Sequence, residues 1–220
     1  MVMIIVFDFD GTLADTLDAI VRITNRLSGE FGYQKANQDD VEKLRNLTSW
    51  QIIKTTGIPL IKIPFLIQMV KAELNNEIKH LHPVEGMADI LAYLNAQGHR
   101  LGIITSNSLE NVTLFLNNNG WDKFFEFIHS GTTIFGKNQI MHRLIKQENI
   151  PKEQLIYIGD ETRDIEAAQK LNVKAIAVSW GFNSKEVLAA QKPDFLVDHP
   201  REIIGVVEEL QQMEPSDDLS

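Results

Sequence analysis

The sequence predicts an α/β protein with a doubly wound parallel sheet at its core. Short apolar runs rich in β-branched residues recur along the chain, and segments with apolar residues at three- and four-residue spacing lie between them. This alternation is typical of parallel strands joined by crossover helices. Between the first two apolar runs, from about residue 13 to residue 82, the patterns are only helical. The expected architecture is therefore a Rossmann-like α/β core with an inserted helical cap domain.

The core elements follow from the positions of these patterns. Strands are expected at Val2–Phe7, Leu101–Thr105, Phe127–His129, Leu155–Ile158, Val173–Val178 and Phe195–Val197. Helices are expected at Met87–Ala96, Leu109–Asn118, Asn138–Glu148, Asp164–Leu171 and Ser184–Ala190. Polar residues that follow such strands lie at the carboxyl edge of the sheet, where open α/β folds bind ligands.

The helical insert is predicted from patterns at Thr16–Phe31, Ser49–Thr56 and Phe65–Leu81. Asp15 and Ser49 are suited to cap two of these helices, and Pro64 suits a helix start. Residues 82–86 form the expected return linker. We assign residues 1–13 and 83–213 to the core domain, residues 14–82 to the cap domain, and the short acidic residues 214–220 to a flexible tail.

The composition restricts the function classes. With 220 residues and 44% hydrophobic content, the chain can bury a sizeable core. Its net charge of -9 and its pI near 5.1 argue against nucleic-acid or membrane partners. The lack of cysteine excludes disulfides, thiolate metal sites and cysteine nucleophiles. Because Asp8 interrupts the apolar start too early for a signal peptide, we expect a cytoplasmic protein that acts on a small soluble molecule, with its oligomeric state open.

The most informative motif is Asp-Phe-Asp-Gly-Thr at residues 8–12, directly after the first apolar run. Two carboxylates separated by one residue lie where a buried strand reaches its carboxyl end. Such a pair is costly at the edge of a core unless a cation, hydrogen bonds or chemistry compensates. The motif therefore predicts a magnesium-like ion or a proton-transfer role for Asp8 and Asp10. An acidic turn that only caps the strand is the alternative.

Three further polar clusters follow along the chain. The Thr-Ser-Asn sequence of residues 105–107 suits phosphate oxygens, although an ordinary helix N-cap has the same composition. Lys137 precedes a predicted helix, where its ammonium can neutralise a phosphoryl group, or it is simply a surface lysine. Asp160 follows a buried strand and Asp164 comes one helical turn later. Their hard oxygen ligands suit magnesium, while Asp160 as a plain helix cap is the alternative.

In this order, the four elements resemble the four motifs of the haloacid dehalogenase superfamily, and the resemblance spans almost the whole chain. The insert after the first motif is similar to the helical cap of that superfamily. The resemblance implies that Asp8 is a nucleophile that forms an aspartyl-phosphate and that Asp10 is the acid and base. It also implies a Mg2+ ion held by Asp8, Asp160 and the Asp10 carbonyl, with Asp164 in support, and phosphoryl oxygens held by Thr105, Ser106, Asn107 and Lys137.

Within the superfamily, the motif details favour a phosphatase. Haloacid dehalogenases need neither a leaving-group acid nor a metal, and they generally lack an acid at the position of Asp10. Two positions depart from the usual pattern. Lys137 is not followed by the proline common in relatives, and Glu161 stands where the residue is often small. Glu161 is therefore either a bystander or an additional metal contact.

The cap is expected to choose the substrate. By position, residues 44–50 resemble the specificity loop of phosphoglycolate phosphatases and β-phosphoglucomutases. Arg45 in this loop is suited to bind a carboxylate or hydroxyls of the substrate. The alternative is an exposed arginine at a helix end. The cap histidine of the mutases corresponds to Ile20, and their phosphate-gripping arginine roughly to Ser49. These differences favour hydrolysis of a small phosphorylated metabolite such as 2-phosphoglycolate. A sugar-phosphate phosphotransferase or mutase and a non-catalytic phospho-signalling or regulatory protein are the alternatives.

Overall fold

The structure is a computed structural model that describes residues 1–130 and 136–212. Its strands are β1 Ile4–Phe7, β2 Ala14–Asp15, β3 His82–Pro83, β4 Arg100–Thr105, β5 Phe125–Ser130, β6 Leu155–Gly159, β7 Lys174–Val178 and β8 Phe195–Val197. β1 and β4–β8 form one parallel sheet in the order β5-β4-β1-β6-β7-β8, and β2 pairs with β3 in a separate ribbon. Each strand expected from the sequence is present, and the predicted α/β class is confirmed.

The central strand β1 is buried on both faces because all of its residues are apolar. Side chains alternate along a strand, so that Ile5 and Phe7 pack into one apolar cluster while the alternate residues belong to a second cluster on the other face. The Asp8 N–H continues the pairing of β1 with β6 by donating to the Ile158 carbonyl at 2.8 Å. Since β4 and β5 lie on one side of β1 and β6–β8 lie on the other, a topological switch point lies at the carboxyl end of β1.

Four helices lie between β2 and β3, namely α1 Leu17–Phe31, α2 Gln38–Arg45, α3 Ser49–Thr56 and α4 Ile63–Glu77. α1 packs against α4 through a separate apolar cluster that includes Ile23, Leu27 and Leu74. The β2–β3 ribbon places the two connections between the core and these helices side by side, because Asp15 pairs with His82. These helices therefore form an insert with its own small core. Among the described residues, no single helix is long and apolar enough to cross a membrane. One pair of successive helical segments, Ser49–Thr56 and Leu60–His80, is long and apolar enough only when taken together, and it is bent by 113° at its break.

The remaining helices are α5 Met87–Ala96, α6 Leu109–Asn119, α7 Lys137–Gln147, α8 Thr162–Gln169, α9 Lys185–Ala190 and α10 Glu202–Gln212. Apolar residues of α5, α6 and α10 join the cluster that contains Phe7. Those of α7, α8 and α9 join the cluster that contains Tyr157. Helices thus cover both faces of the sheet, as a doubly wound fold requires, and the carboxyl edge is left for the insert to cover.

Several details of the insert differ from the predictions. Thr48 rather than Ser49 caps α3, and its hydroxyl accepts a backbone N–H in the first turn. Asp15 lies in β2, and Thr16 occupies the N-cap position of α1 without a side-chain cap bond, so the predicted capping by Asp15 is wrong. α2 is absent from the prediction because Val41 is its only buried residue and leaves almost no apolar period. The predicted flexible tail at residues 214–220 lies outside the described residues.

Candidate active site

The carboxyl ends of β1, β4 and β6 meet at one edge of the sheet and bring together residues that are distant in sequence. Asp8 follows β1, Thr105 ends β4 and Asp160 follows β6. Because β1 lies between β4 and β6, the three residues occupy neighbouring positions at the switch point. Each is at most 1% exposed. Charge in this cleft is therefore poorly solvated and has to be balanced by protein groups or by a bound cation.

Asp8 and Lys137 form the central ion pair of the cleft. Lys137 is the first residue of α7, rather than preceding the helix, and its buried ammonium contacts both Asp8 Oδ2 and Asp164 Oδ1. The other oxygen of Asp8 accepts the Phe9 N–H at 2.8 Å. Burial alone would lower the pKa of Lys137, but Asp164 and Asp8 outweigh it and raise that pKa above its ordinary value. The lysine therefore stays cationic and holds the Asp8 carboxylate in one orientation.

Asp10 has a different environment although it lies only two residues from Asp8. Both of its carboxylate oxygens accept hydrogen bonds from the Asn107 side-chain amide, each at 3.0 Å. Burial, and then the negative charge of Asp8, raise the pKa of Asp10 to about 7 against the opposing effect of Asn107. Asp10 thus changes its protonation near neutral pH, which is the property a group needs in order to give and take a proton.

Asp8, Asp160 and Asp164 form a buried acidic cluster in which one carboxylate oxygen from each residue lies within 4.8 Å of the others. Burial, followed by the neighbouring carboxylates, raises the pKa of Asp160 well above its ordinary value. Burial also raises the pKa of Asp164 to about 7, although Lys137 opposes it. A divalent cation fits this donor set, because hard oxygen ligands are what Mg2+ prefers and its charge would relieve the repulsion between the carboxylates.

Asp160 is held in place by both bonding and close packing. Its Oδ1 accepts the Thr12 hydroxyl at 2.7 Å, and its Oδ2 accepts the Phe182 N–H at 2.7 Å. Two glycines leave it room: a Cβ added to Gly11 or to Gly181 would lie 2.3 Å or 2.2 Å from Asp160 Oδ2. Gly11 also has φ +76°, a conformation that favours glycine. The glycine of the first motif is thus explained by its turn and by its contact with this carboxylate.

Residues 105–107, predicted to bind phosphate, form a turn at the end of β4. The Thr105 hydroxyl oxygen accepts the Asn107 N–H at 3.0 Å, and the Ser130 hydroxyl donates to the Asn107 carbonyl at 2.7 Å. Ser106 lies between them and is partly exposed. The Asn107 amide is directed at Asp10 and positions a carboxylate, so the phosphate contact expected of it stays a prediction.

The loop after α2 brings the insert against this edge of the sheet. The Arg45 guanidinium donates from Nη2 to the Gly181 carbonyl at 3.1 Å. The Asn183 side-chain amide donates to the carbonyls of Arg45 and Leu47 at 3.2 Å and 3.0 Å. Arg45 therefore lies against Gly181, beside Asp160. A backbone carbonyl holds its guanidinium there, and its role toward a substrate stays a prediction.

Comparison with known proteins establishes the family. Residues 5–178 match the family model described as haloacid dehalogenase-like hydrolase. The chain belongs to this family. A phosphoglycolate phosphatase of Synechococcus elongatus is 36% identical to it over 206 residues, which cover 94% of this chain and 97% of that relative. A phosphoglycolate phosphatase of Aliivibrio fischeri is 24% identical and covers 94% of this chain and 96% of its own length. The protein is a haloacid dehalogenase-like phosphatase, a phosphoric monoester hydrolase.

Solved structures share the fold of this phosphatase. A predicted phosphatase from Clostridium acetobutylicum superposes with a TM-score of 0.81 at 20% identity, covering 95% of this chain and all (100%) of the other. A haloacid dehalogenase-like family hydrolase from Streptococcus pneumoniae superposes with a TM-score of 0.78 at 21% identity, covering 94% and 98%. At this level of identity the likeness concerns the fold alone. The shared fold includes both the sheet and the helical insert, because the superposed residues cover nearly all of each chain.

Glu161, which departs from the usual pattern of the family, has a local explanation. Its carboxylate pairs with Arg163, whose Nε donates to Glu161 Oε2 at 2.7 Å. Its backbone N–H donates to Asp164 Oδ2 at 3.1 Å, and the Ser49 hydroxyl of the insert lies 3.4 Å from its Oε1. Glu161 is not a member of the acidic cluster. It caps the start of α8, orients Asp164 and contacts Ser49 of the insert.

Lys71 of α4 is a cleft residue that sequence reasoning missed. Burial lowers its pKa, and the nearby charges of Asp10 and Arg163 act on it in opposite directions. A lysine in a helical pattern carries no signal that separates it from other surface lysines. Only the packing of α4 against α6 brings it near Asp10.

Proposed function

We propose that this phosphatase is magnesium-dependent and hydrolyses a small phosphomonoester through an aspartyl-phosphate formed on Asp8. The observation that carries the proposal is the contrast between two carboxylates of one motif. Asp8 is ion-paired with Lys137, whereas Asp10 is held by the neutral amide of Asn107 and has its pKa raised to about 7. A nucleophile has to be ionised, and an acid and base has to change its protonation. The motif thus offers one residue suited to each role.

In the first step, an oxygen of Asp8 attacks phosphorus, the bond from phosphorus to the ester oxygen breaks, and Asp10 gives its proton to that leaving oxygen. In the second step, Asp10 takes a proton from water while the water oxygen attacks phosphorus. The bond from Asp8 to phosphorus then breaks and inorganic phosphate leaves. Lys137 keeps the nucleophile oriented and offsets charge, and Thr105 and Ser106 at the end of β4 donate to the phosphoryl oxygens.

Asp8, Asp160 and the backbone carbonyl of Asp10 are the groups that would hold Mg2+, with Asp164 in support. The donor set fits because three buried carboxylates converge, and the Lys137 ammonium forms ion pairs with two of them, Asp8 and Asp164. The ion, when bound, supplies positive charge for the phosphoryl oxygens and for the attacking carboxylate. Asp164 and Asp8 share an ion pair with Lys137. Asp164 therefore orients the lysine ammonium and adds negative charge that attracts the metal ion.

The leading candidate substrate is 2-phosphoglycolate. A relative that is 36% identical over nearly the whole chain bears the name phosphoglycolate phosphatase. This substrate carries a carboxylate beside its phosphate, and Lys71 and Arg45 supply cations from the insert at the cleft. In this proposal, residues 14–82 are a cap domain that closes over the substrate, while residues 1–13 and 83–213 carry the chemistry. Ile20, at the position of the mutase histidine, packs against the apolar cluster of the insert instead.

The proposal is tested by measuring release of inorganic phosphate from 2-phosphoglycolate, sugar phosphates, pyrophosphate and nucleotides, with and without Mg2+. We expect Mg2+-dependent release that is fastest from 2-phosphoglycolate. Asp8→Asn keeps the shape of the side chain but removes its charge, so it should lower turnover by at least about 10,000-fold while the circular dichroism spectrum and melting temperature stay near wild type. Retained release by Asp8→Asn would overturn the covalent mechanism. Transfer of phosphate between sugar phosphates without release would favour the phosphotransferase alternative.

A further inference from the structure

Asn111 of α6 is a fully buried residue that lies between the insert and the active site. Its side-chain NH2 donates to Asn107 Oδ1 at 2.9 Å and to the Lys71 carbonyl of α4 at 3.0 Å. Its Oδ1 accepts a hydrogen bond from Asn75 Nδ2 of α4 at 2.7 Å. One buried amide therefore uses both of its hydrogens and its oxygen to join the active-site turn to a helix of the cap.

The bonds of Asn107 continue this connection to Asp10. Asn107 Oδ1 accepts from Asn111 and also from the Ser108 N–H, at 2.7 Å. Because its oxygen faces these donors, its NH2 faces Asp10 and donates to both carboxylate oxygens at 3.0 Å. A half-turn of the Asn107 amide would instead set its oxygen against the carboxylate and its NH2 against the donors behind it. The orientation of Asp10 thus depends on a chain of amides in which each member fixes the next.

We propose that Asn111 is a positioning residue that couples closure of the cap to the orientation of Asp10. With α4 in place, the Lys71 carbonyl and the Asn75 amide hold the Asn111 side chain, which in turn holds Asn107 against Asp10. When α4 moves away, Asn111 loses two of its three side-chain partners, and the support behind Asn107 weakens. Proton transfer by Asp10 is then most effective when the cap is closed over a substrate. This inference rests on the proposed acid and base role of Asp10 and goes beyond it.

A purely structural role for Asn111 makes a different prediction. A buried amide that only ties α6 to α4 would, on removal, slow every substrate alike or lower stability alone. A residue that acts through Asp10 would matter most where the leaving oxygen needs a proton. Phenyl phosphate has a poor leaving group and p-nitrophenyl phosphate a good one. The ratio of their kcat/KM values therefore separates the two roles, and it does not depend on the identity of the physiological substrate.

The experiment compares Asn111→Leu, Asn75→Ala and the double variant with the wild type on both esters. Asn119→Leu is the matched control, because Asn119 ends the same helix and its side chain, among the described residues, bonds only the Phe115 carbonyl of that helix, at 2.8 Å. We expect Asn111→Leu to lower kcat/KM about 10- to 100-fold with phenyl phosphate and less than about 3-fold with p-nitrophenyl phosphate. Asn75→Ala should show the same bias to a smaller degree, and the double variant should lose no more than Asn111→Leu.

Equal losses on the two esters, or an effect of Asn111→Leu no larger than that of Asn119→Leu, would overturn the coupling. If Asn111→Leu does not fold, Asn75→Ala decides alone, because Asn75 is only partly buried on the cap: a leaving-group bias supports the inference, and no bias rejects it. Asp10→Asn serves as the reference. If Asp10→Asn shows no bias, the proposed role of Asp10 fails; if it shows the bias and the asparagine variants do not, only the coupling fails.

Discussion

The two sides of the cleft are built from different interactions. On the side of the sheet, charged groups such as Asp8, Asp160 and Lys137 are at most 3% exposed and are held by ion pairs or by hydrogen bonds to neighbouring loops. On the side of the cap, most of the contacts described above use backbone carbonyls and neutral amides, chiefly those of Asn183 and Asn111, while the Arg45 guanidinium donates to a carbonyl. Buried charge holds a fixed geometry that only a cation or a ligand completes, whereas water can replace neutral hydrogen bonds at small cost. The sheet is therefore suited to fixed chemistry and the cap to movement and substrate choice.

After Asp8→Asn, the largest expected effect also lies on the side of the sheet. Asp160→Asn replaces one of two accepting oxygens with a donor that faces the Thr12 hydroxyl or the Phe182 N–H. We expect kcat/KM to fall at least about 100-fold and the Mg2+ concentration for half activation to rise, because a carboxylate ligand is lost. Asp194→Asn is the control, since Asp194 likewise accepts one side-chain and one backbone hydrogen bond, from Lys174 and from the Ala175 N–H, but at the start of β7, on the opposite edge. Wild-type Mg2+ activation in Asp160→Asn would contradict the metal assignment.

A smaller effect is expected where packing, rather than charge, is changed. Gly181→Ala places a methyl group 2.2 Å from Asp160 Oδ2, so the carboxylate has to shift. We expect a loss of about 1 to 3 kcal/mol in unfolding free energy, measured by urea denaturation, and weaker Mg2+ activation. Gly205→Ala is the matched control, because a methyl group there meets open space in α10 and should stabilise the protein by about 0.5 to 1 kcal/mol. Equal behaviour of the two variants would show that the close approach to Asp160 is unimportant.

On the side of the cap, the expected change is in substrate binding. Lys71→Met keeps much of the apolar stem and removes the ammonium, so KM for 2-phosphoglycolate should rise about 10- to 100-fold. KM for p-nitrophenyl phosphate, which has no carboxylate, should change less than about 3-fold. Lys79→Met serves as the control because Lys79 is exposed beyond the end of α4. A similar change of KM for both substrates would mean that Lys71 contacts the phosphate or acts through Asp10.

The smallest effect is expected outside the cleft, at His99. Its Nδ1 accepts the Met3 N–H at 3.1 Å, and burial lowers its pKa below the ordinary 6.5. The neutral imidazole is the bonded form, so its contribution to stability is complete above pH 6.5 and is lost as the pH falls through the lowered pKa. His99→Asn can accept the same bond without titrating. Between pH 7.5 and pH 5, wild type should lose about 1 kcal/mol more unfolding free energy than His99→Asn. Equal losses would show that the pKa of His99 is the same in the folded and the unfolded protein.

Particular elements show which features a sequence pattern can predict. Two helices have the predicted bounds. α5, Met87–Ala96, is defined by its apolar spacing. α3, Ser49–Thr56, is defined by a capping residue at its start and a glycine at its end. α2 has too few apolar residues to produce a period, and the two-residue strands β2 and β3 are too short to have one. α10 does carry buried residues at three- and four-residue spacing and was predictable in principle.

The sequence by itself determined the α/β class and the order of the polar groups at the strand ends, including Asp8 and Asp160. Apolar periodicity and the residue that follows a strand are local properties, and the parallel sheet converts them into positions at one edge. Only the tertiary structure decided that Lys137 bridges Asp8 and Asp164, that Lys71 lies near Asp10, and that Asn111 joins the cap to Asp10 through Asn107. Lys137 and Asp8 are separated by 129 residues, and Asn111 and Asn75 by 36. The partner of a buried polar side chain is set by how elements pack, which no local pattern specifies.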